Sequence, residues 1–307
     1  MTLKITFRMV NHKTMEIKEG KIIKGIGGFY YVETSDGIFE CRARGKFRKD
    51  AIVPYVGDNV KISVEDVGSG YVTEIFERKN VFIRPPIANV DKLLIVSASA
   101  NPSPDPLFID KLLVIAEAAG VKSALCFNKA DLNAPGLELA DLYRRAGYDV
   151  FVTSATNNYG IDDIKRFMEN GITAVCGFSG VGKSSILNLI TDSNDFQVGE
   201  ISEKLSRGKH TTRHVELVKM AHGTYLADTP GFSMISIPEA ISPSQLIDYF
   251  PDLREYTKLC KFGDCSHTSA KHCGVFDAVS QNKVSELRYE NYKNLYNSLK
   301  DNKEWGK

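Results

Sequence analysis

The spacing of hydrophobic and polar positions changes twice along this chain of 307 residues, and each change marks a different kind of architecture. Between about residues 20 and 80, apolar and polar residues alternate in short runs at 21–31, 38–46, 59–64 and 71–76. Turn signals such as Ser35-Asp36-Gly37 and Gly68-Ser69-Gly70 separate them. Successive side chains of a strand point to opposite faces, so these runs predict an antiparallel sheet with one buried face. Strands this short and this closely spaced predict a small OB-type barrel over residues 1–84, ending at Arg84-Pro85-Pro86.

Beyond that point, continuous apolar runs at 92–97, 123–127, 150–154 and 174–177 alternate with helical spacing at 106–119, 137–146, 161–169 and from near Lys183. This order predicts a mostly parallel sheet covered on both faces, an α/β domain over residues 85–240. The run Asn101-Pro102-Ser103-Pro104-Asp105-Pro106 has a linker's composition, but it separates a strand from its own helix and reads as a rigid turn. Residues 241–307 predict a mainly helical domain. There Val284, Leu287, Tyr292, Leu295, Tyr296 and Leu299 fall near helical spacing, which fits a helix packed on its own domain, with a partner-facing helix as the alternative.

Composition adds exclusions. No apolar run approaches the ~18 residues of a membrane span, and the first twenty residues lack the apolar core of a signal peptide. The expectation is a cytoplasmic protein with no membrane partner, taken as a monomer. The net charge of +1 is unevenly spread: +4 over residues 1–84, −4 over 85–240 and +1 over 241–307. The barrel is therefore the part best suited to a polyanion. In it Arg42, Arg44, Lys46 and Arg48 occupy every second position and would share one face if the strand continues through them. With Phe39, Phe47 and Lys49 nearby, that face suits an RNA backbone; a solvated strand face explains it equally well.

The chemistry is concentrated in the middle stretch. Gly177-Phe178-Ser179-Gly180-Val181-Gly182-Lys183-Ser184 follows an apolar strand and opens a helix through Ser185, the context of a phosphate-binding P-loop. Its glycines let backbone N–H groups close around phosphates, Lys183 supplies a point charge, and the Ser184 hydroxyl suits Mg²⁺. Asn128-Lys129-Ala130-Asp131 follows another strand. There the Asp131 carboxylate can accept from the N1–H and exocyclic amine of guanine, a donor pair adenine lacks, with Lys129 along the base and Asn128 tying the loop to its neighbours. Ser154-Ala155 ends a third strand, where a backbone N–H would reach the guanine oxygen. Asp228-Thr229-Pro230-Gly231 ends a fourth, with Asp228 suited to Mg²⁺ and the Gly231 N–H to the γ-phosphate. These are the parts of a GTP/GDP site, but the guanine motif precedes the P-loop, whereas in an ordinary GTPase it follows. The order is that of a circular permutation.

Between P-loop and Asp228 lies Arg207-Gly208-Lys209-His210-Thr211-Thr212-Arg213-His214. A threonine here can complete the Mg²⁺ shell and let go after hydrolysis. Thr212 is favoured because Thr-Thr-Arg-His resembles the switch of Era-type GTPases, and Thr211 is the fallback. Phe232 stands where many Ras-like GTPases carry the glutamine that orients water. His210 is the local candidate for that task; a solvated loop histidine is the alternative. In the last stretch Cys260, Cys265, His267 and Cys273 supply three thiolates and an imidazole, a closed set for one structural Zn²⁺, with His272 a less suitable substitute for His267. Cys41, Cys126 and Cys176 read as small buried hydrophobes.

Taken together, these motifs resemble the RsgA family of circularly permuted, ribosome small subunit-dependent GTPases. The resemblance rests on Gly208-Lys209-His210-Thr211-Thr212, Asp228-Thr229-Pro230-Gly231 and the Cys260/Cys265/His267/Cys273 spacing, and it covers nearly the whole chain. It implies an OB barrel that contacts rRNA, a permuted GTPase domain and a zinc domain. It further implies a role in late assembly or checking of the small ribosomal subunit, hydrolysis stimulated by that subunit, and His210 as the hydrolysis histidine.

Overall fold

The first strand, β1 (Glu16–Ile26), pairs on both sides. Its amino-terminal half runs antiparallel to β4 (Asn59–Asp66), and its carboxyl-terminal half, from Lys21, runs antiparallel to β2 (Phe29–Thr34) with a register shift between Ile22 and Lys24. A bulge of this kind bends a strand and lets one strand serve two neighbours. β3 (Gly37–Ala43) pairs antiparallel with β2 and parallel with β5 (Ser69–Ile75), and β5 returns to β4. The result is a closed five-stranded barrel in the order β1-β2-β3-β5-β4, the OB-type topology. The inward positions Ile22, Val32, Phe39, Cys41, Val60, Ile62 and Val72 fill it.

The computed structural model describes residues 16–45, 47, 52–132, 136–192, 215–221, 223–228, 235–269 and 271–304. The chain divides into two compact units, Met1–Arg78 and Lys79–Lys307. Two strand expectations in the first unit need correction. The single strand expected over 21–31 is a hairpin, broken at Gly27-Gly28, which take φ of 60° and 86°; a Gly-Gly pair at positive φ makes the two-residue turn whose twist matches its strands. The strand expected over 38–46 stops at Ala43, and Gly45 and Phe47 are helical, with Phe47 buried. The face that Arg42, Arg44, Lys46 and Arg48 were expected to share therefore does not form as one strand. Arg42 lies on it, exposed and 4.6 Å over the Phe29 ring. Arg44 lies past its end and donates to Ser63 Oγ at 3.3 Å. Lys46 and Arg48 lie outside the described residues.

In the second unit, Arg84-Pro85-Pro86 forms the turn of a short hairpin, β6 (Val81–Phe82) with β7 (Ile87–Ala88). The main sheet follows: β8 (Lys92–Ala98), β9 (Lys122–Asn128), β10 (Asp149–Val152), β11 (Gly171–Cys176), β12 (Leu217–Lys219) and β13 (Thr224–Asp228). Their order among the described residues is β10-β9-β8-β11-β13-β12, parallel except for β12. Among the described residues, four helices alternate with these strands: α1 (Pro106–Ala118), α2 (Gly136–Arg145), α3 (Ile161–Met168) and α4 (Lys183–Thr191). The Asn101–Pro106 run is the rigid turn expected: Asp105 caps α1 by accepting from the Phe108 N–H at 3.1 Å, and Pro106 takes the first helical position. Both faces of β8 and β9 are buried, which explains why those strands read as continuous apolar runs.

After residue 241 come the 3-10 turn Pro243–Tyr249 and the helices α5 (Pro251–Arg254), α6 (Gly274–Ser280) and α7 (Glu286–Glu304). Val284, Tyr289, Tyr292, Leu295 and Leu299 pack with Leu246, Phe250 and Leu253 in a core that also takes Val114 from α1. The last helix thus packs on its own unit. Leu287 departs from the expected face and is 38% exposed, while its neighbour Arg288 is 1% exposed. No helix among the described residues is long and apolar enough to cross a membrane.

Candidate functional site

The carboxyl ends of β9, β8, β11 and β13 lie side by side, the edge at which open parallel sheets bind ligands. Three of the sequence motifs continue directly from those ends. β11 runs into the P-loop, and β9 ends on Asn128. Asp228 closes β13 and is in register with Val175 of β11, two residues before the P-loop's first glycine.

Asn128 joins these pieces. Its side chain is 2% exposed. Nδ2 donates to the Val181 carbonyl in the P-loop at 2.9 Å, and Oδ1 accepts from the Ala155 N–H at 3.1 Å and from the Thr153 hydroxyl at 3.2 Å. One buried amide therefore fastens the guanine-motif strand, the end of β10 and the phosphate loop together. Gly182 makes room for it: a Cβ there would lie 2.2 Å from Asn128 Nδ2, and the residue takes φ +93°. Gly177, at φ +146°, is equally constrained, since a Cβ would meet the Val96 carbonyl at 2.0 Å. The first and last glycines of the loop are thus required by neighbouring strands as well as by any phosphate.

Lys183, first in α4, donates to the Gly177 and Phe178 carbonyls at 2.8 and 2.6 Å, so its ammonium sits inside the loop. Ser184 follows it in the first turn of α4, the end of a helix whose backbone N–H groups suit an anion. On the base side, the Ser154 hydroxyl donates to Asp131 Oδ1 at 2.5 Å, accepts the Asn157 N–H at 3.2 Å and so holds the carboxylate in orientation. Lys129 adopts φ +64° and donates through Nζ to the Asn101 carbonyl, its own carbonyl accepting from Ser99 Oγ at 2.7 Å. The N–H groups expected to meet a guanine oxygen are both engaged: Ser154 donates to the Tyr159 carbonyl and Ala155 to Asn128. Phe178 packs on Phe108 of α1 with ring centroids 4.0 Å apart, a contact that the loop motif does not signal.

The structure thus brings Asn128, Lys129, Asp131, Ser154, Ala155 and the loop from Gly177 to Ser185 to one edge. His210, Thr211, Thr212 and Gly231 lie outside the described residues, as does the Asp228 side chain. Among the described side chains, the Ser184 hydroxyl is a hard oxygen donor of the kind that Mg²⁺ takes.

The second cluster lies after residue 259. The ligand atoms of Cys260, Cys265, His267 and Cys273 all fall within 4.8 Å of one another. His267 Nδ1 is 3.4 Å from Cys260 Sγ and 3.7 Å from Cys273 Sγ, close to the ~3.5 Å edge of a tetrahedron built from ordinary Zn–S and Zn–N bonds. The Gly274 N–H donates to Cys260 Sγ at 3.3 Å, and the Phe276 N–H donates to Cys273 Sγ at 3.5 Å from the first turn of α6. Such donors favour thiolate. Burial lowers the His267 pKa, favouring the neutral, ligating imidazole, while burial and the neighbouring sulfurs push Cys273 up to about 12. A cation among them would relieve that repulsion, so donor set and geometry both fit Zn²⁺. His272 packs its ring against Phe262 and takes no place in the cluster. Cys41, Cys126 and Cys176 are free and buried, and burial raises each thiol.

Comparison with known proteins agrees with this arrangement. The model of the RsgA GTPase family matches residues 75–238, and that of the RsgA N-terminal domain matches residues 19–72. A small ribosomal subunit biogenesis GTPase RsgA from Agathobacter rectalis is 45% identical over 301 residues, 93% of this chain and 99% of that protein. The protein of the same name from Bacillus cereus is 43% identical over 290 residues, 93% of this chain and 98% of that protein. Among solved structures, YloQ, described as a circularly permuted GTPase, matches with a TM-score of 0.77 and 36% identity, covering 95% of this chain and 98% of that one. YjeQ from Thermotoga maritima matches with a TM-score of 0.79 and 33% identity, covering 92% and 99%.

Proposed function

The chain belongs to the RsgA GTPase family and is a GTP hydrolase, and from that premise we propose that it couples GTP hydrolysis to maturation of the small ribosomal subunit and to its own release. The observation that carries the nucleotide half is Asn128, whose amide ties a guanine-reading loop to a P-loop that comes later in the chain. The ribosomal half rests on relatives that match over 93% of this chain and are named for small subunit biogenesis.

In this reading Asp131, held by Ser154, accepts the guanine N1–H and amine, and Lys129 lies along the base. Ala155 lines the base by holding Asn128; a guanine oxygen would share its N–H. The P-loop N–H groups of Ser179 to Ser185 wrap the phosphates, and Lys183 turns from its loop carbonyls to the β- and γ-oxygens, stabilising the charge that grows as the terminal phosphoryl transfers. Ser184, Thr212 and Asp228 would hold Mg²⁺, which when bound neutralises charge on those oxygens. His210 orients the attacking water, and the Gly231 N–H meets the γ-phosphate. Unstimulated turnover is expected on the order of 10⁻⁴ to 10⁻² s⁻¹, as for other P-loop GTPases without a stimulating partner. The barrel, through Arg42 and Arg44 with Lys46 and Arg48, contacts rRNA, and one Zn²⁺ shapes the C-terminal docking region. The working form is a cytoplasmic monomer.

Co-sedimentation tests the partner. With a non-hydrolysable GTP analogue the protein should pellet with purified small subunits, and with GDP it should stay in the supernatant. Equal pelleting in both states, or with large subunits, contradicts the reading.

A further inference from the structure

Helix α1 has one side against the phosphate loop and the other in the C-terminal core. Phe108, in its first turn, carries the ring that Phe178 packs against. Two residues on, Asp110 is fully buried on the opposite side of the helix. It accepts from Arg288 Nη1, from Asn291 Nδ2 at 2.6 Å and from the Tyr143 hydroxyl at 2.8 Å. Arg288 reaches across from α7 and makes a fork with Asp252, Nη2 to Oδ1 at 2.6 Å and Nε to Oδ2 at 3.0 Å, with the Tyr148 hydroxyl at 3.2 Å. Its guanidinium lies 4.8 Å from the Phe250 ring. None of these groups has a part in the chemistry above.

Burying a guanidinium with carboxylates gains little over an apolar core of the same shape, and the best-attested return is a fixed register. Apolar contacts such as Val114 in the C-terminal core tolerate a small slide of α1. A planar fork that satisfies two carboxylates at once does not. We propose that Arg288 is a positioning residue for nucleotide binding: through Asp110 it fixes α1, and Phe108 of α1 backs Phe178 of the phosphate loop. The nucleotide site and the region of the Cys/His cluster then share one element, so that ligand binding at either one changes affinity at the other by the same factor. This rests on the nucleotide site described above.

The test measures affinity of the full-length protein for fluorescent GDP and a non-hydrolysable GTP analogue, with melting temperature and zinc content alongside. Arg288→Met should weaken nucleotide binding on the order of tenfold, and Arg288→Lys should recover only part, because an ammonium cannot make the fork. Phe108→Ala should give a similar loss with zinc content unchanged, and the double variant should lose little more than either single one. Arg288→Met with a lowered melting temperature but wild-type nucleotide affinity, or additive losses, would reduce the cluster to packing and overturn the proposal. Should Arg288→Met fail to fold, hydrogen exchange decides. GDP should slow exchange around Arg288 in the wild type but not in Phe108→Ala still saturated with GDP; slowing in both, or in neither, overturns it. A wild-type protein that binds no guanine nucleotide would instead remove the premise.

Discussion

Gly182 and Asn128 explain each other. The amide can reach the Val181 carbonyl only because position 182 has no Cβ, and the loop can hold φ +93° there for the same reason. Gly182→Ala should therefore cost about 1–3 kcal/mol in backbone strain and break the Asn128 bridge, so that GDP binding falls more than the melting temperature does. Titration with fluorescent GDP beside a thermal melt checks this. In the proposed reading, base identity depends on Asp131. Asp131→Asn loses a charged acceptor of two hydrogen bonds but gains a donor for the 2-oxygen of xanthine. GTP affinity should drop roughly a hundredfold, from the loss of about 3 kcal/mol of charge-assisted bonding, while xanthosine triphosphate binding rises; an unchanged preference for guanine would remove Asp131 from that role. His210→Ala should lower kcat and leave nucleotide affinity unaltered, since a water-orienting residue acts mainly in the transition state. A loss confined to affinity would point to switch positioning instead.

Elements with a strong local signal are legible in the amino-acid sequence. The strand–P-loop–helix passage, the strand ending on Asn128 and the helix after the Asn101–Pro106 turn all declare themselves through periodicity and turn composition. Alternation alone misleads. A run through 21–31 hides a Gly-Gly turn, and the basic series after Arg42 implies more strand than exists. In α7 the apolar spacing nominates Leu287 for the core, but the position is taken by Arg288. Pattern rules count a charged residue as solvent-facing, and only tertiary contact with Asp110 and Asp252 overrides that. The Cys/His set is the opposite case: spacing alone favours His267 over His272, and the Nδ1–sulfur distances agree. Removing a ligand should unfold this element. Cys265→Ser should abolish bound zinc and destabilise the second unit by about 4 kcal/mol or more, the range reached when a structural metal is lost; elemental analysis and calorimetry would show it. Full stability without zinc would contradict a structural metal.

At the scale of the whole molecule, permutation changes what is joined to what. Because the P-loop follows β11 late in the chain, β13 is followed in sequence by the C-terminal core, to which Ile241 belongs and against which Ile237 packs. The packing of α1 between the phosphate loop and that core is the route proposed above from one to the other. The family's two matched regions correspond to the barrel and the sheet that follow one another in the chain. The most direct measurement is GTP hydrolysis by the purified protein, alone and with purified small ribosomal subunits, with large subunits and ATP as controls. Slow basal turnover, strong stimulation by small subunits only, and no hydrolysis of ATP are expected. Turnover that no ribosomal particle alters would keep the GTPase and contradict the ribosomal coupling.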